Sequence, residues 1–349
     1  MAFFRHIRRA KTPFTASRLV QGFDFWVVNP VNMIYNGIVI GVWALTPATR
    51  NAGLRLAPDP SSLFAGVNFL EIFAMTTTTL SARHAAFRKL HETGCFILPN
   101  PWDPGTARWL EQTGFKALAS TSAGYAFSRG IPDREIPVDE VVRHCGELVR
   151  ATGLPVNADF EDGYSSTIDG LKVNVRACVQ VGVSALSIED SIAGSEGALY
   201  DFDEAVARMR AAREAIDSVD KNVMLVGRAE CYLVGRPDLD ETIKRLKAYA
   251  DAGADCLYAP GLSRREEISA VVEAVAPKPI NIMMGHAAKL GFKTLAEIGV
   301  RRISTASTLA LAAWSGFVNA TDRLMREEID GFENTVDYLQ LCERFKIYR

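Results

Sequence analysis

No two of the six cysteines (Cys95, Cys145, Cys178, Cys231, Cys256 and Cys342) share a CxxC spacing. A disulfide framework and a thiolate zinc site are therefore not expected, and scattered reduced thiols fit a cytosolic protein. A strong charge of either sign is missing as well. Lys and Arg number 39 against 41 Asp and Glu, a net of −2, which gives no reason to expect nucleic acid or an anionic membrane as partner. Long apolar runs are also absent. The cleanest, Gly37 to Leu45, is too short to cross a bilayer. No GxGxxG follows the first expected strand of the main domain, which weakens a dinucleotide-binding reading.

What is present is ordinary globular composition, 48% hydrophobic and 23% charged over 349 residues. That length accommodates one domain of about 250 residues plus extras. The chain changes character near Met75. Residues 1–74 carry seven Lys/Arg and three Asp/Glu, a net of +4, and the remaining 32 basic and 38 acidic residues give −6. The leader shows neither a clear amphipathic helix nor alternating strands. Three readings of it stand: an upstream start codon assigned in place of Met75, a targeting segment (Arg5, Arg8, Arg9, Lys11 and Arg18 precede any acid) or loose arm, and a membrane-associated segment.

From Met75 onward a rhythm sets in, and residues 75–349 read as a second unit. Ser81 is placed as the N-cap of a first helix. Short apolar strands are expected at Cys95–Pro99, Ala117–Thr121, Leu154–Val156, Ala185–Ile188, Val223–Gly227, Cys256–Ala259, Pro279–Met283 and Arg302–Ser304. A helix follows each, for example Pro104–Gln112, Ile168–Val181, Ala287–Ile298 and one from Thr308, with Gly-containing turns such as Val181-Gly182-Val183 leading into the next strand. Eight such units predict an α/β fold, a (β/α)8 TIM barrel with a C-terminal helical tail. A doubly wound open sheet is the competing architecture.

In that barrel the chemistry belongs at the C-terminal ends of the strands. Strand 3 runs into Asn157-Ala158-Asp159-Phe160-Glu161-Asp162-Gly163-Tyr164. Alternation along a strand puts Asp159 and Glu161 on one face, where two like charges call for a cation or a proton. Strand 4 ends at Glu189-Asp190 and strand 5 at Arg228. Oxygen donors without His or Cys favour Mg2+, with Mn2+ as the alternative, and a guanidinium beside them suits an anionic substrate.

Asn100-Pro101-Trp102-Asp103, Thr121-Ser122-Ala123-Gly124, Asp159-Phe160-Glu161-Asp162-Gly163-Tyr164, Ser187-Ile188-Glu189-Asp190-Ser191 and Gly227-Arg228-Ala229-Glu230 occur in that order. With Gly253-Ala254-Asp255 and Arg302-Ile303-Ser304, the series resembles the phosphoenolpyruvate mutase/isocitrate lyase superfamily from about Phe87 to Phe317. The resemblance implies a lyase or mutase that handles a small 2-oxo acid or phosphonate with Mg2+. It implies metal roles for Asp159, Glu161 and Glu189, and a role near the metal for Asp133. Thr121, Ser122 and Asn281 become substrate contacts, and Arg228 the substrate arginine. It also implies a homo-oligomer, a dimer of dimers with a swapped C-terminal helix. One departure stands out. The family's lyases carry a Cys in a Lys-Cys-Gly-His-like loop after strand 4, and its mutase and phosphonate-hydrolase branches a Lys- or Asn-bearing one. Here residues 191–200 hold no Cys, His, Lys or Asn. The bond broken stays open among C–C lyase, oxaloacetate decarboxylase, phosphonomutase and phosphonopyruvate hydrolase, beside a non-catalytic oxo-acid-binding barrel.

Other polar residues have plainer readings. Cys231 is a buried structural thiol or a nucleophile, and His286 a helix-start residue or an acid–base group. His84, His91 and His144 fall on helices as packing residues. Asp162 and Asp190 are turn residues or support the site.

Overall fold

The structure is a computed structural model, and it describes residues 27–35, 38–46, 69–195, 197–332 and 335–346. The chain divides into two units between residues 68 and 69. In the first, β1 (Val27–Tyr35) and β2 (Ile38–Thr46) pair antiparallel, from Val27 opposite Thr46 to Tyr35 opposite Ile38. No alternating strands were expected there, because Asn29, Pro30 and Asn32 break the apolar pattern. A two-stranded ribbon has only edge strands, so a proline costs it little pairing. The rest of the leader lies outside the described residues.

The second unit opens with α1 (Phe69–Leu90). The boundary expected near Met75 and the cap expected at Ser81 both fall inside this helix. Eight parallel strands follow: β3 (Phe96–Leu98), β4 (Leu118–Ala119), β5 (Val156–Asp159), β6 (Ala185–Glu189), β7 (Met224–Arg228), β8 (Cys256–Tyr258), β9 (Ile280–Met283) and β10 (Arg302–Ser304). They form one sheet in the order β3-β10-β9-β8-β7-β6-β5-β4. Its two ends meet where the Ala119 N–H donates to the Pro99 carbonyl at 3.0 Å. The expected (β/α)8 barrel is therefore the fold.

Between the strands run α2 (Pro104–Gln112), α3 (Ser122–Ser128), α4 (Val138–Ala151), α5 (Ile168–Gln180), α6 (Phe202–Asp217), α7 (Leu239–Asp251) and α8 (Arg265–Val275). Their starts are set locally. Asp103 accepts from the Thr106 N–H at 2.7 Å ahead of Pro104, and Thr167 and Asp238 cap α5 and α7 in the same way. After β9 the single helix expected over Ala287–Ile298 is broken. It becomes α9 (Met284–Ala287), a 3-10 turn, and α10 (Gly291–Glu297), with Gly291 at φ +72° marking the break. Helices α11 (Thr308–Met325) and α12 (Tyr338–Lys346) form the tail. Among the described residues no helix is long and apolar enough to cross a membrane.

The core has two layers. Leu118, Leu186, Leu225, Leu257 and Ile303 meet the surrounding helices. Inside the barrel Leu98, Ala119, Ala185, Met224, Val226 and Cys256 pack together, and Phe87 of α1 is fully buried against them. That filled floor leaves the opposite end of the barrel for polar groups.

Candidate active site

Strand register builds the site. Glu189 lies opposite Arg228, Arg228 opposite Tyr258, Tyr258 opposite Asn281, and Asn281 opposite Arg302. Parallel neighbours in register point to the same side, so these five side chains form one inward-facing layer. Above it opens a cavity of about 340 Å3 that Thr121, Ser122, Asp133, Asp159, Glu161, Glu189, Arg228 and Asn281 all help to line. The residues given metal, substrate or catalytic roles by the resemblance are thus brought to one place.

The charges are interlocked. Arg228 Nη1 lies 3.0 Å from Glu189 Oε2 and 3.2 Å from Asp159 Oδ1, while its Nε donates to Glu230. Burial alone would lower the Arg228 pKa, but Glu189 and Glu230 hold it well above the usual arginine value. Asp159 ends β5, and its Oδ2 accepts from both the backbone N–H and the hydroxyl of Ser122 at 3.2 Å. Ser122 thus props a carboxylate in this structure. The Thr121 hydroxyl caps α3 by accepting the Gly124 N–H at 3.2 Å. Asn281 is fully buried, donating to Ser304 Oγ at 3.0 Å and accepting from Arg302 Nε at 2.9 Å.

Glu161 reaches the cavity by a different route from the one expected. It lies beyond the end of β5, at φ +43°, a left-handed conformation uncommon for a residue with a side chain. Burial, with the Glu189 and Asp159 charges behind it, pushes its carboxyl up to about 8, and the Tyr164 hydroxyl donates to it at 3.0 Å. Burial also raises Glu189, against the pull of Arg228 and Arg134. Asp133 sits at the rim. The surrounding protein, and then the Asp159 charge, push its carboxyl up as well.

Two arginines were given no site role from the sequence. Arg134, at φ +69°, donates to Glu189 and, at 2.6 Å, to Ser191 Oγ. Arg302 is buried in the layer itself, with Nη1 3.3 Å from Asn157 Oδ1. Arg302 opens β10 rather than ending it, so the strand-end rule passed over it, and its place in the Arg302-Ile303-Ser304 motif was the signal available. For Arg134, in an irregular loop, there was none.

The supporting residues also resolve. Asp190 accepts from the Glu230 N–H at 2.8 Å, from Arg245 Nη1 at 3.1 Å and from the Tyr249 hydroxyl at 2.6 Å. Asp162 accepts from Tyr200 at 3.1 Å. Both carry the loops under the site. Cys231 is buried with its thiol pKa raised by that burial, consistent with a structural thiol. His286 is exposed on the cavity wall. His84 and His91 are buried and hydrogen-bonded, and His144 stacks on Tyr125 at 3.8 Å.

Four carboxylates thus converge on a cavity with oxygen donors and no thiol or imidazole among the buried ones. Among the described residues no three acids, histidines or cysteines already stand at ligand spacing. Buried carboxylate oxygens gathered at the mouth of one cavity are nevertheless the donor type that suits a hard divalent cation.

The family profile described as phosphoenolpyruvate phosphomutase matches residues 87–325, spanning all eight barrel strands. The chain belongs to this phosphoenolpyruvate phosphomutase family. Its members and the relatives below are lyases or mutases, so the protein is an enzyme of that broad type. An oxaloacetate decarboxylase of Paraburkholderia xenovorans (strain LB400) is 31% identical over 195 residues, 53% of this chain. The match spans 63% of the length of that relative. A solved structure from Burkholderia cenocepacia J2315, provisionally assigned as a lyase/mutase, is 42% identical with a TM-score of 0.73, covering 77% of this chain and 97% of that one. A 2,3-dimethylmalate lyase of the same superfamily is 25% identical with a TM-score of 0.67, covering 75% and 94%.

Proposed function

We propose that the protein is a Mg2+-dependent carbon–carbon lyase that cleaves a small 2-oxo or 2-hydroxy acid through a pyruvate-type enolate. The observation that carries this reading is the gathering of Asp133, Asp159, Glu161 and Glu189 in one cavity with Arg228, which pairs with Asp159 and Glu189. Asp159, Glu161 and Glu189 would hold the ion, with Mn2+ as a substitute, and Asp133 would act beside it. When bound, the ion supplies a Lewis acid next to the keto oxygen.

The chain's own groups do the rest. Arg228, locked by three carboxylates, is positioned to grip the acid's carboxylate and to stabilise negative charge as it develops. Ser122 keeps Asp159 in place, while Thr121 and Asn281 border the substrate. Residues 191–200 offer no Cys, His or Lys to protonate a leaving carbanion. That favours decarboxylation of an oxaloacetate-type acid, in which CO2 leaves with no proton and the pyruvate enolate left behind takes one proton at C3 from solvent, over cleavage of a 2-hydroxy acid, which needs both a base at the 2-hydroxyl and an acid at the leaving carbanion.

A second copy of the chain is the proposed partner, in a cytoplasmic homotetramer. Phe317, Met325, Ile329, Tyr338 and Leu339 are 60–84% exposed on and between α11 and α12, apolar side chains that a second copy would cover.

The test is turnover of oxaloacetate, alkyl-substituted malates and phosphonopyruvate with Mg2+. Release of a pyruvate-type product from a carbon acid supports the lyase. Phosphate release from phosphonopyruvate alone would move the protein to the phosphonate branch, and oxalate binding without turnover of any of them would overturn the lyase reading.

A further inference from the structure

Both oxygens of Glu189 are taken by cations. Oε2 faces Arg228 at 3.0 Å, and Oε1 accepts from Arg134 and from the Ser191 hydroxyl. The two guanidiniums differ in how firmly they are held. Arg228 is 14% exposed and has three carboxylate partners. The Arg134 side chain is 32% exposed, and its guanidinium hydrogen bonds go only to Glu189 and Ser191 among the described contacts. It extends from residues 129–137, the irregular stretch between α3 and α4, with its own backbone in the left-handed region.

Arg134 also stands at a junction. It lines the central cavity and an open cleft outside it, whose other walls are Gly197, Glu230 and Leu233 to Gly235. Glu230 offers it no alternative partner, being 1% exposed and committed to Arg228. Arg302, the remaining arginine of the cavity, is occupied by Asn281 and Asn157. If Glu189 gives an oxygen to a cation, Arg134 is therefore the guanidinium that gives way. It would then be an unpaired positive charge on the cavity wall, on the side that opens outward.

We infer that Arg134 anchors the far end of the substrate, and that this end carries a second anionic group. The inference rests on the reading of the cavity as a site for a 2-oxo acid. Arg228 and the acids hold the 2-oxo acid end, while Arg134 selects dianionic substrates over monocarboxylates by a charge-assisted hydrogen bond at the mouth.

The test is calorimetric binding of two probes to the full-length protein at saturating Mg2+, in the wild type, Arg134→Met and Arg134→Lys. Oxalate occupies only the 2-oxo acid end, whereas 3,3-difluorooxaloacetate adds the distal carboxylate. Arg134→Met should weaken difluorooxaloacetate about 10- to 100-fold and oxalate by less than about threefold, with Arg134→Lys between. Equal weakening of both probes, or of neither, overturns the anchor. Failure of the wild type to bind oxalate with Mg2+ would instead strike the proposed function itself. Unfolding midpoints of the variants within a degree or two of the wild type separate a local effect from misfolding.

Discussion

Glu189 and Arg228 lie directly opposite each other on adjacent strands β6 and β7, with 3.0 Å between Oε2 and Nη1. Removing the guanidinium leaves Glu189 and Glu230 buried without their main counter-charge. Arg228→Met should cost about 3–5 kcal/mol of stability, read from the urea midpoint. Product formation should vanish in any fraction that remains folded.

Glu161 makes stability depend on pH in the metal-free protein. Its carboxyl holds a proton up to about 8 when folded, against an ordinary value of 4.5. A group raised in this way contributes fully below its unfolded pKa and loses that contribution as pH climbs through the folded value. In the presence of a chelator, the midpoint of thermal unfolding should fall between about pH 5 and pH 8.5. Glu161→Gln, which cannot ionise, should flatten that fall. Glu230, also pushed up to about 8 by burial, leaves a residual slope, so a variant as steep as the wild type would count against the Glu161 assignment.

Chelation should abolish turnover, and Mg2+ or Mn2+ should restore it. Asp159→Ala should weaken Mn2+ binding at least tenfold, followed by electron paramagnetic resonance, with the far-ultraviolet spectrum unchanged. Full retention of Mn2+ affinity would remove Asp159 from the metal set.

Asp190 should matter for folding more than its turn position suggests. Asp190→Ala leaves the Tyr249 hydroxyl and the Glu230 N–H without their acceptor, and leaves Arg245 with only Glu241 and the Tyr200 carbonyl. A loss of about 3–5 kcal/mol is expected from chemical denaturation. A cost below about 1 kcal/mol would show that water replaces these bonds.

The barrel was legible because its strands are short, apolar and separated by glycine turns, and because eight βα units leave few alternatives. Asp159, Glu189 and Arg228 could be placed since each is the last residue of its strand. Glu161 was assigned to the right cavity by strand alternation, although it reaches there through a left-handed turn that alternation does not describe. Arg134 was invisible because irregular loops carry no period from which a direction can be read. The break at Gly291 was missed because Ala287 to Ile298 keeps a helical pattern through a glycine that pattern alone does not weigh. The β1–β2 ribbon was missed because prolines and asparagines hide a pairing that needs only edges.

The closure between Pro99 and Ala119 has a consequence for how the molecule breathes. A single backbone hydrogen bond crosses that seam among the described residues. Asn100 reinforces it, donating to the Ser120 carbonyl at 2.7 Å and accepting from the Thr305 N–H at 3.0 Å. The stitch therefore sits at the edge of the substrate cavity. Local opening there would unfasten the barrel and, in one event, loosen Asp159, whose N–H donates to Ser120 Oγ at 2.8 Å and whose Oδ2 accepts from Ser122. Ligand occupancy should accordingly be felt in amide exchange at Ala119 and Thr305 before it is felt in the buried strands on the far side.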